Sequence, residues 1–214
     1  MKSMRDFIEQ CEQEGMLRRI KPEVDWDLEL SHIAKINEER HGPALLFENV
    51  KDYDSPVITS VCTTTERLSM IMGAPMESSL VDLMRLWVEK NETKVPPKWV
   101  DSGPCKENKM MGDEVDLFKF PVPKFYPLDG GRFFGTAHFV VTQDPDTGWV
   151  NLGTYRLQLL DKNHLRHPVH PGETFGYHAQ EISGHEKAHA RGRGGGMRPG
   201  LVSHGRGAVV GYGQ

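Results

Sequence analysis

"GTAHFVVTQDPDTGWVNLGTYRLQLLD", residues 135–161, places two β-rich runs on either side of a short polar turn. The runs are 135–142 and 149–160, and "DPDTG" (144–148) separates them. Pro145 presets φ and Gly148 accepts a positive φ, so the segment predicts an antiparallel hairpin. The second run carries three residues that do not suit a half-buried strand: Asn151, Gly153 and Arg156. A mid-strand glycine marks a bulge or a close approach to the backbone. An amide oxygen is a hard, neutral metal ligand, yet asparagine beside a turn also bonds its own backbone. A guanidinium between Tyr155 and Leu157 calls for an anion, and it can hold a carboxylate through two parallel bonds. A solvated strand arginine is the plain alternative. Asn151 and Arg156 are five apart, so a regular strand puts them on opposite faces. A shared site therefore needs an irregularity, expected at 152–154.

Upstream, "VDLFKFPVPKFYPLDGG" (115–131) holds three prolines, which exclude a central strand or a continuous helix. It should run extended over a surface and close on Gly130–Gly131. "KVPPKWVDSGP" (94–104) is a proline-rich connector. Before it, Met4, Phe7, Ile8 and Cys11 recur at helical spacing, with a stop at Gly15. "RRIKPEVD" is extended, and a helix follows near 28–39 with Leu28, Ile33 and Ile36 inward. "GPALLFENV" (42–50) and "SPVITSVC" (55–62) are buried strands. Helices are expected at 64–73, ended by Gly73, and at 77–90, with Leu80, Leu83, Met84 and Trp87 as the core stripe. The fold class is α+β. A small α/β domain covers 1–95, a connector 96–109, and an incomplete β-rich domain 110–162.

Composition sets outer bounds. The chain has 214 residues, 37% hydrophobic and 26% charged, with a net charge of −4. That net charge gives no reason to expect nucleic-acid binding by the whole protein. No apolar run approaches the ~20 residues of a membrane span, and the charged N-terminus is unlike a signal peptide, so a cytoplasmic location is expected. Cys11, Cys62 and Cys105 lack metal or redox spacing. His138 is a lone strand histidine, read as structural. "HPVH" (167–170) has no third ligand at suitable spacing.

The average conceals a break. Residues 163–214 contain 12 of the 22 glycines and 7 of the 10 histidines, with 6 Lys and Arg against 3 Asp and Glu. An acidic, patterned body meets a basic tail, expected to be disordered or translated out of frame.

"GPALLFENV", "GDEVDLFKFPVPKFYPLDGG" and "TQDPDTGWVNLGTYRLQLLDKN", in that order, resemble the UbiD family of decarboxylases across roughly 4–163. "NLGTYR" is most similar to members acting on hydroxylated aromatic acids. The resemblance implies a split β-barrel cofactor domain and non-oxidative removal of CO₂ from an aromatic carboxylic acid. It also implies prenylated FMN, a divalent metal (Mn²⁺ or Mg²⁺) and a potassium ion. By the same resemblance, Asn151 is a metal ligand, while Thr154, Tyr155, Arg156 and Thr136 lie against the cofactor. Arg156 belongs to the catalytic set. A flavin prenyltransferase would supply the cofactor, and intact relatives form homo-oligomers.

The genetic code bears on the tail. The codons of "GMRPGL" (196–201), read one nucleotide later, permit "CDPAL", and "PGET" (171–174) permits "PGKH". Both resemble downstream family segments, the second carrying the family's metal-binding histidine eighteen residues after Arg156, where this chain has Thr174. A change of frame between 163 and 170 is the expectation. The chain would then be truncated relative to the family pattern and inactive as it stands. The alternative is a non-enzymatic binding module whose "RGRGGG" (191–196) segment binds RNA.

Overall fold

A computed structural model describes residues 3–93, 95–96, 98, 100–103, 107–135, 138, 140–144, 147–166 and 196–197. Thr136, Cys105, "HPVH" and the arginine–glycine stretch 191–195 lie outside the described residues. Secondary structure is mixed helix and strand, and the chain divides into two compact units between residues 99 and 100.

In the first unit, α1 (Met4–Gln13) starts on a reciprocal cap. The Ser3 hydroxyl accepts from the Asp6 N–H, and the Asp6 carboxylate accepts from the Ser3 N–H. β1 (Leu17–Ile20) lies parallel to β2 (Ala44–Phe47), which pairs antiparallel with β3 (Val57–Thr59). All four β2 residues are buried, which explains its uninterrupted apolar run. α2 (Glu29–Glu39) lies within the β1–β2 connection. α3 (Thr65–Met72) ends where Gly73 turns left-handed at φ 69°. Two cores result: Val24, Leu30, Leu45, Phe47 and Val50 form one, and Phe7, Cys11 and Met70 the other.

Two expected core stripes are corrected. In α2 the buried residues are Leu30, Ser31 and Ala34; Ile33 packs partly buried against the same core, as expected, while Ile36 is 49% exposed. Leu28 precedes the helix at φ 72° and so does not belong to its face. In α4 (Leu80–Glu92) only Leu83 is buried; Leu80, Met84 and Trp87 are each more than half exposed. α4 begins three residues later than expected, on a Ser79–Asp82 capping box.

The second unit contains short one-turn helices at Gly112–Glu114 and Leu117–Lys119. β4 (Arg132–Phe134), β7 (Leu157–Asp161), β8 (His164–Arg166) and β9 (Gly196–Met197) form an antiparallel sheet in the order β4-β7-β8-β9. β5 (Val140–Gln143) and β6 (Val150–Gly153) form a separate two-stranded ribbon. The described strands do not form a closed barrel. The core is Leu117, Val122, Phe134, Val140, Leu157, Leu159 and Leu165, with Phe120 and Tyr155 packed against it.

The hairpin flanking "DPDTG" therefore exists, but its second run is not one strand. The β5–β6 register is unbroken through Gly153, and the interruption falls at 154–156, where the chain leaves the ribbon to enter the larger sheet. The expected irregularity at 152–154 is thus displaced towards the C-terminus. The sheet change, rather than a bulge, removes the parity constraint between Asn151 and Arg156.

Candidate functional site

The stretch 150–158 is built around two rings folded onto two glycines. A methyl group added at Gly153 would collide with the Tyr155 ring, reaching 2.5 Å from both Cζ and the hydroxyl oxygen. The glycine is there to admit a side chain two residues ahead in the same chain. Gly135 stands at φ +108°, a conformation only glycine adopts readily, and a methyl there would lie 2.5 Å from His138 Cε1. His138 is buried beside the Tyr155 backbone. His138 thus lies between the β4–β5 link and the β6–β7 break.

Burial holds the His138 imidazole below its ordinary pKa of 6.5, outweighing the opposing pull of the nearby Tyr155 backbone. The unfolded chain then binds the proton more readily than the folded one. Stability should fall as pH drops below about 6.5 towards the depressed folded value. Replacing His138 with Gln should flatten that part of the slope. Urea midpoints for the two proteins at about pH 7.5 and about pH 5.5 read the difference.

Asn151 sits half-buried on β6, with Thr142 as its cross-strand partner. Thr154 is exposed, and Tyr155 is partly buried against the core. Among the described residues no cluster of three His, Cys, Asp or Glu could hold a metal ion. Asn151 alone is too few donors for a divalent cation, so the described residues do not by themselves fit that metal.

Arg156 follows the break. Its side chain is 43% exposed, so the guanidinium is not buried as its apolar neighbours suggested. Its central carbon lies 5.3 Å from the Phe133 ring centroid and 5.9 Å from that of Phe125. Both distances are within cation–π range. Nη1 is 3.8 Å from Asp129 Oδ1, an ion pair rather than a direct hydrogen bond. Asp129 is held in turn: Oδ2 accepts from the Tyr126 N–H at 3.1 Å, and its own N–H donates to the Tyr126 carbonyl at 3.0 Å.

Two residues along, the Gln158 amide donates to the Gly130 carbonyl at 2.9 Å. The Arg132 guanidinium donates to the Val122 carbonyl at 2.6 Å, and the Phe133 N–H to the Pro123 carbonyl at 3.1 Å. The proline-rich segment is thereby laid along β4, and its Asp-Gly-Gly turn along β7. The arrangement is a cation on an aromatic shelf beside a fixed carboxylate. Such a surface suits a planar anion, an aromatic carboxylate or a phosphate.

Sequence reasoning missed Phe125, Asp129 and Phe133 as neighbours of Arg156. The β4–β7 register puts Phe133 opposite Gln158, two residues from Arg156. No spacing in the sequence encodes that pairing. The described contacts do not join Asn151 to the Arg156 shelf.

The 3-octaprenyl-4-hydroxybenzoate carboxy-lyase N-terminal domain model matches residues 8–87, and the Rift-related domain model of the same family matches 98–191. The second match continues past residues 163–170. A pyrrole-2-carboxylic acid decarboxylase from Pseudomonas aeruginosa is 33% identical over 182 residues, covering 80% of this chain and 37% of that protein. Among solved structures, an evolved dimeric form of the UbiD-class enzyme HmfF from Pelotomaculum thermopropionicum, in complex with prFMN, superposes with a TM-score of 0.74 at 28% identity. It covers 84% of this chain and 41% of that one. The closed form of vanillic acid decarboxylase from Sedimentibacter hydroxybenzoicus gives 0.78 at 27% identity, covering 86% and 40%. The chain spans about two fifths of the length of each of these relatives.

Proposed function

The chain belongs to the UbiD family of carboxy-lyases, and from that premise we propose that it derives from a non-oxidative decarboxylase of aromatic or hydroxyaromatic carboxylic acids. The observation that carries this reading is Arg156: a guanidinium laid on Phe133 and Phe125, half open to solvent, at the end of "NLGTYR". It is suited to hold the carboxylate that is lost. Two parallel hydrogen bonds would fix the plane of that group, and the aromatic shelf would favour a flat ring beside it. Fixing the carboxylate's orientation keeps the breaking carbon–carbon bond aligned, an entropic contribution to rate.

The flavin fits this surface in part. Arg156, exposed Thr154 and the amide of Asn151 offer donors for a phosphate and ring heteroatoms. We propose prenylated FMN as the cofactor; when bound it would supply the electron sink for C–C cleavage. Tyr155, seated against the core and on Gly153, would set the height of the backbone that faces it. For the divalent metal, the proposal is that Asn151 is one ligand and that the others come from sequence beyond residue 166. No step is derived through it. A potassium ion, a prenyltransferase as cofactor supplier and homo-oligomer formation rest on the family reading alone. The domain limits proposed for the whole remain 1–95, 96–109, 110–162 and 163–214.

For the tail we propose a change of reading frame. Two family-like segments emerge from one and the same nucleotide slide, at the spacing the family has from Arg156. The family match to residue 191 weighs against a change as early as 163. Sequencing the gene decides: stop codons scattered through the +1 frame after codon 170 would end the frame-change reading.

The functional test uses a gene restored to the open frame, coexpressed with a flavin prenyltransferase. CO₂ release is measured from pyrrole-2-carboxylate, vanillate and 3,4-dihydroxybenzoate. Turnover of at least one is expected, and Arg156→Gln should reduce it by about a hundredfold or more. Equal rates for the two proteins would remove the reading.

A further inference from the structure

Asp129 is assigned no role by anything above, yet it is the best-anchored group beside Arg156. Two backbone bonds to Tyr126 fix it, and its side chain is only 15% exposed against 43% for Arg156. The turn that carries it is held from the strand side as well. Gln158 donates to Gly130, and a methyl on Gly131 would come within 3.1 Å of the same Gln158 amide nitrogen. Arg156 and Gln158 are two apart, the spacing that puts side chains on one face of an extended chain. They therefore reach the 126–131 turn side by side, one through its charge and one through its amide. In this pair the carboxylate is the fixed partner and the long, flexible guanidinium is the adjustable one.

We propose that Asp129 is a positioning residue: it holds the Nη1 end of Arg156 so that the guanidinium stays over Phe133 and Phe125 in the pose that grips a substrate carboxylate. This deepens the functional reading and rests on it for the identity of the ligand. An arginine at the end of a strand has four rotatable side-chain bonds. The rings attract its face but leave its rotation in the plane almost unopposed. A charge at one end removes that freedom. Preorganisation of this kind strengthens a two-point grip without touching the ligand.

The choice of an acid over an amide follows. Asparagine at 129 could still accept from the Tyr126 N–H, so the turn would persist, but the charge facing Nη1 would be gone. Glutamate would restore the charge at a greater reach.

The full chain labelled with ¹⁵N-arginine provides a ligand-independent reading. The Arg156 Nε–H resonance, identified by its loss in Arg156→Gln, should be displaced by the ring currents of Phe133 and Phe125. In Asp129→Asn it should move towards the position of a freely rotating arginine, and Asp129→Glu should recover part of the displacement. A resonance unchanged in Asp129→Asn overturns the proposal, whatever the protein's function.

Calorimetric titration with benzoate then separates the two readings. Benzoate should bind the parent chain, about five- to tenfold more weakly Asp129→Asn, and not measurably Arg156→Gln. Adding Asp129→Asn to Arg156→Gln should change nothing further, because the effect runs through the guanidinium. Benzoate affinity untouched by Arg156→Gln, or absent from the parent chain, sinks the carboxylate-binding reading. Affinity lost in Arg156→Gln but retained in Asp129→Asn sinks only the positioning role.

Discussion

Gly153→Ala should destabilise the second unit by about 3 kcal/mol, the upper end of the usual cost of overpacking. The backbone at Gly153 does not lie in the left-handed region, so alanine meets no dihedral penalty there. The whole cost is steric, because the new methyl and the Tyr155 ring claim the same space. The ring must leave, and it takes its packing against the core of the second unit with it. The control is a double-mutant cycle. With Tyr155 already cut back to Ala, adding Gly153→Ala should cost under about 1 kcal/mol, since the obstacle is gone. Urea unfolding of the four proteins reads both values. Costs that simply add would show that the glycine serves something other than the ring.

The second large effect is expected at Phe134. Its side chain is 4% exposed, and its ring meets that of Phe120 edge-on at 6.2 Å and 67°. Truncation to Ala should cost about 3–5 kcal/mol through lost transfer energy, an unfilled cavity and the broken aromatic pair. That is a large share of the roughly 5–15 kcal/mol by which a domain is stable. Phe134→Leu, which refills most of the volume, should recover more than half. Unfolding midpoints for the three proteins decide it. A loss under about 1 kcal/mol for Phe134→Ala would mean that this cluster is not the core of the unit.

Phe133, its neighbour, alternates to the other face of β4 and supports Arg156 instead. One strand therefore supplies stability with one residue and the anion shelf with the next. A defect in the core strand should thus reach the site as a shift in Arg156, even where no site residue has been altered.

Much of the fold was legible. The β2 run, the Gly73 stop and the hairpin around "DPDTG" are local events, each fixed by burial, a left-handed residue or turn chemistry acting within a few positions. The buried faces of α2 and α4 were only partly legible. Periodicity shows which residues share a helix face, but whether that face is covered depends on what packs against it. Isoleucine and tryptophan look like core residues in a sequence whether or not a partner covers them.

For the site, the sequence by itself determined the oddity of "VNLGTYR": an amide, a glycine and a cation where a strand should carry none, and with them the family. A site shared by Asn151 and Arg156 also required the regular strand to fail, since residues five apart point to opposite faces. Only the tertiary structure decided how it fails and what the cation meets. A glycine's reason is the volume of whatever lies against it, and here that is Tyr155 from its own chain. An arginine's partners are set by strand register, which brings Phe133 and the turn bearing Asp129 beside it from more than twenty residues away. Pairing across that separation is fixed by packing of the whole unit, and no local pattern of residues records it.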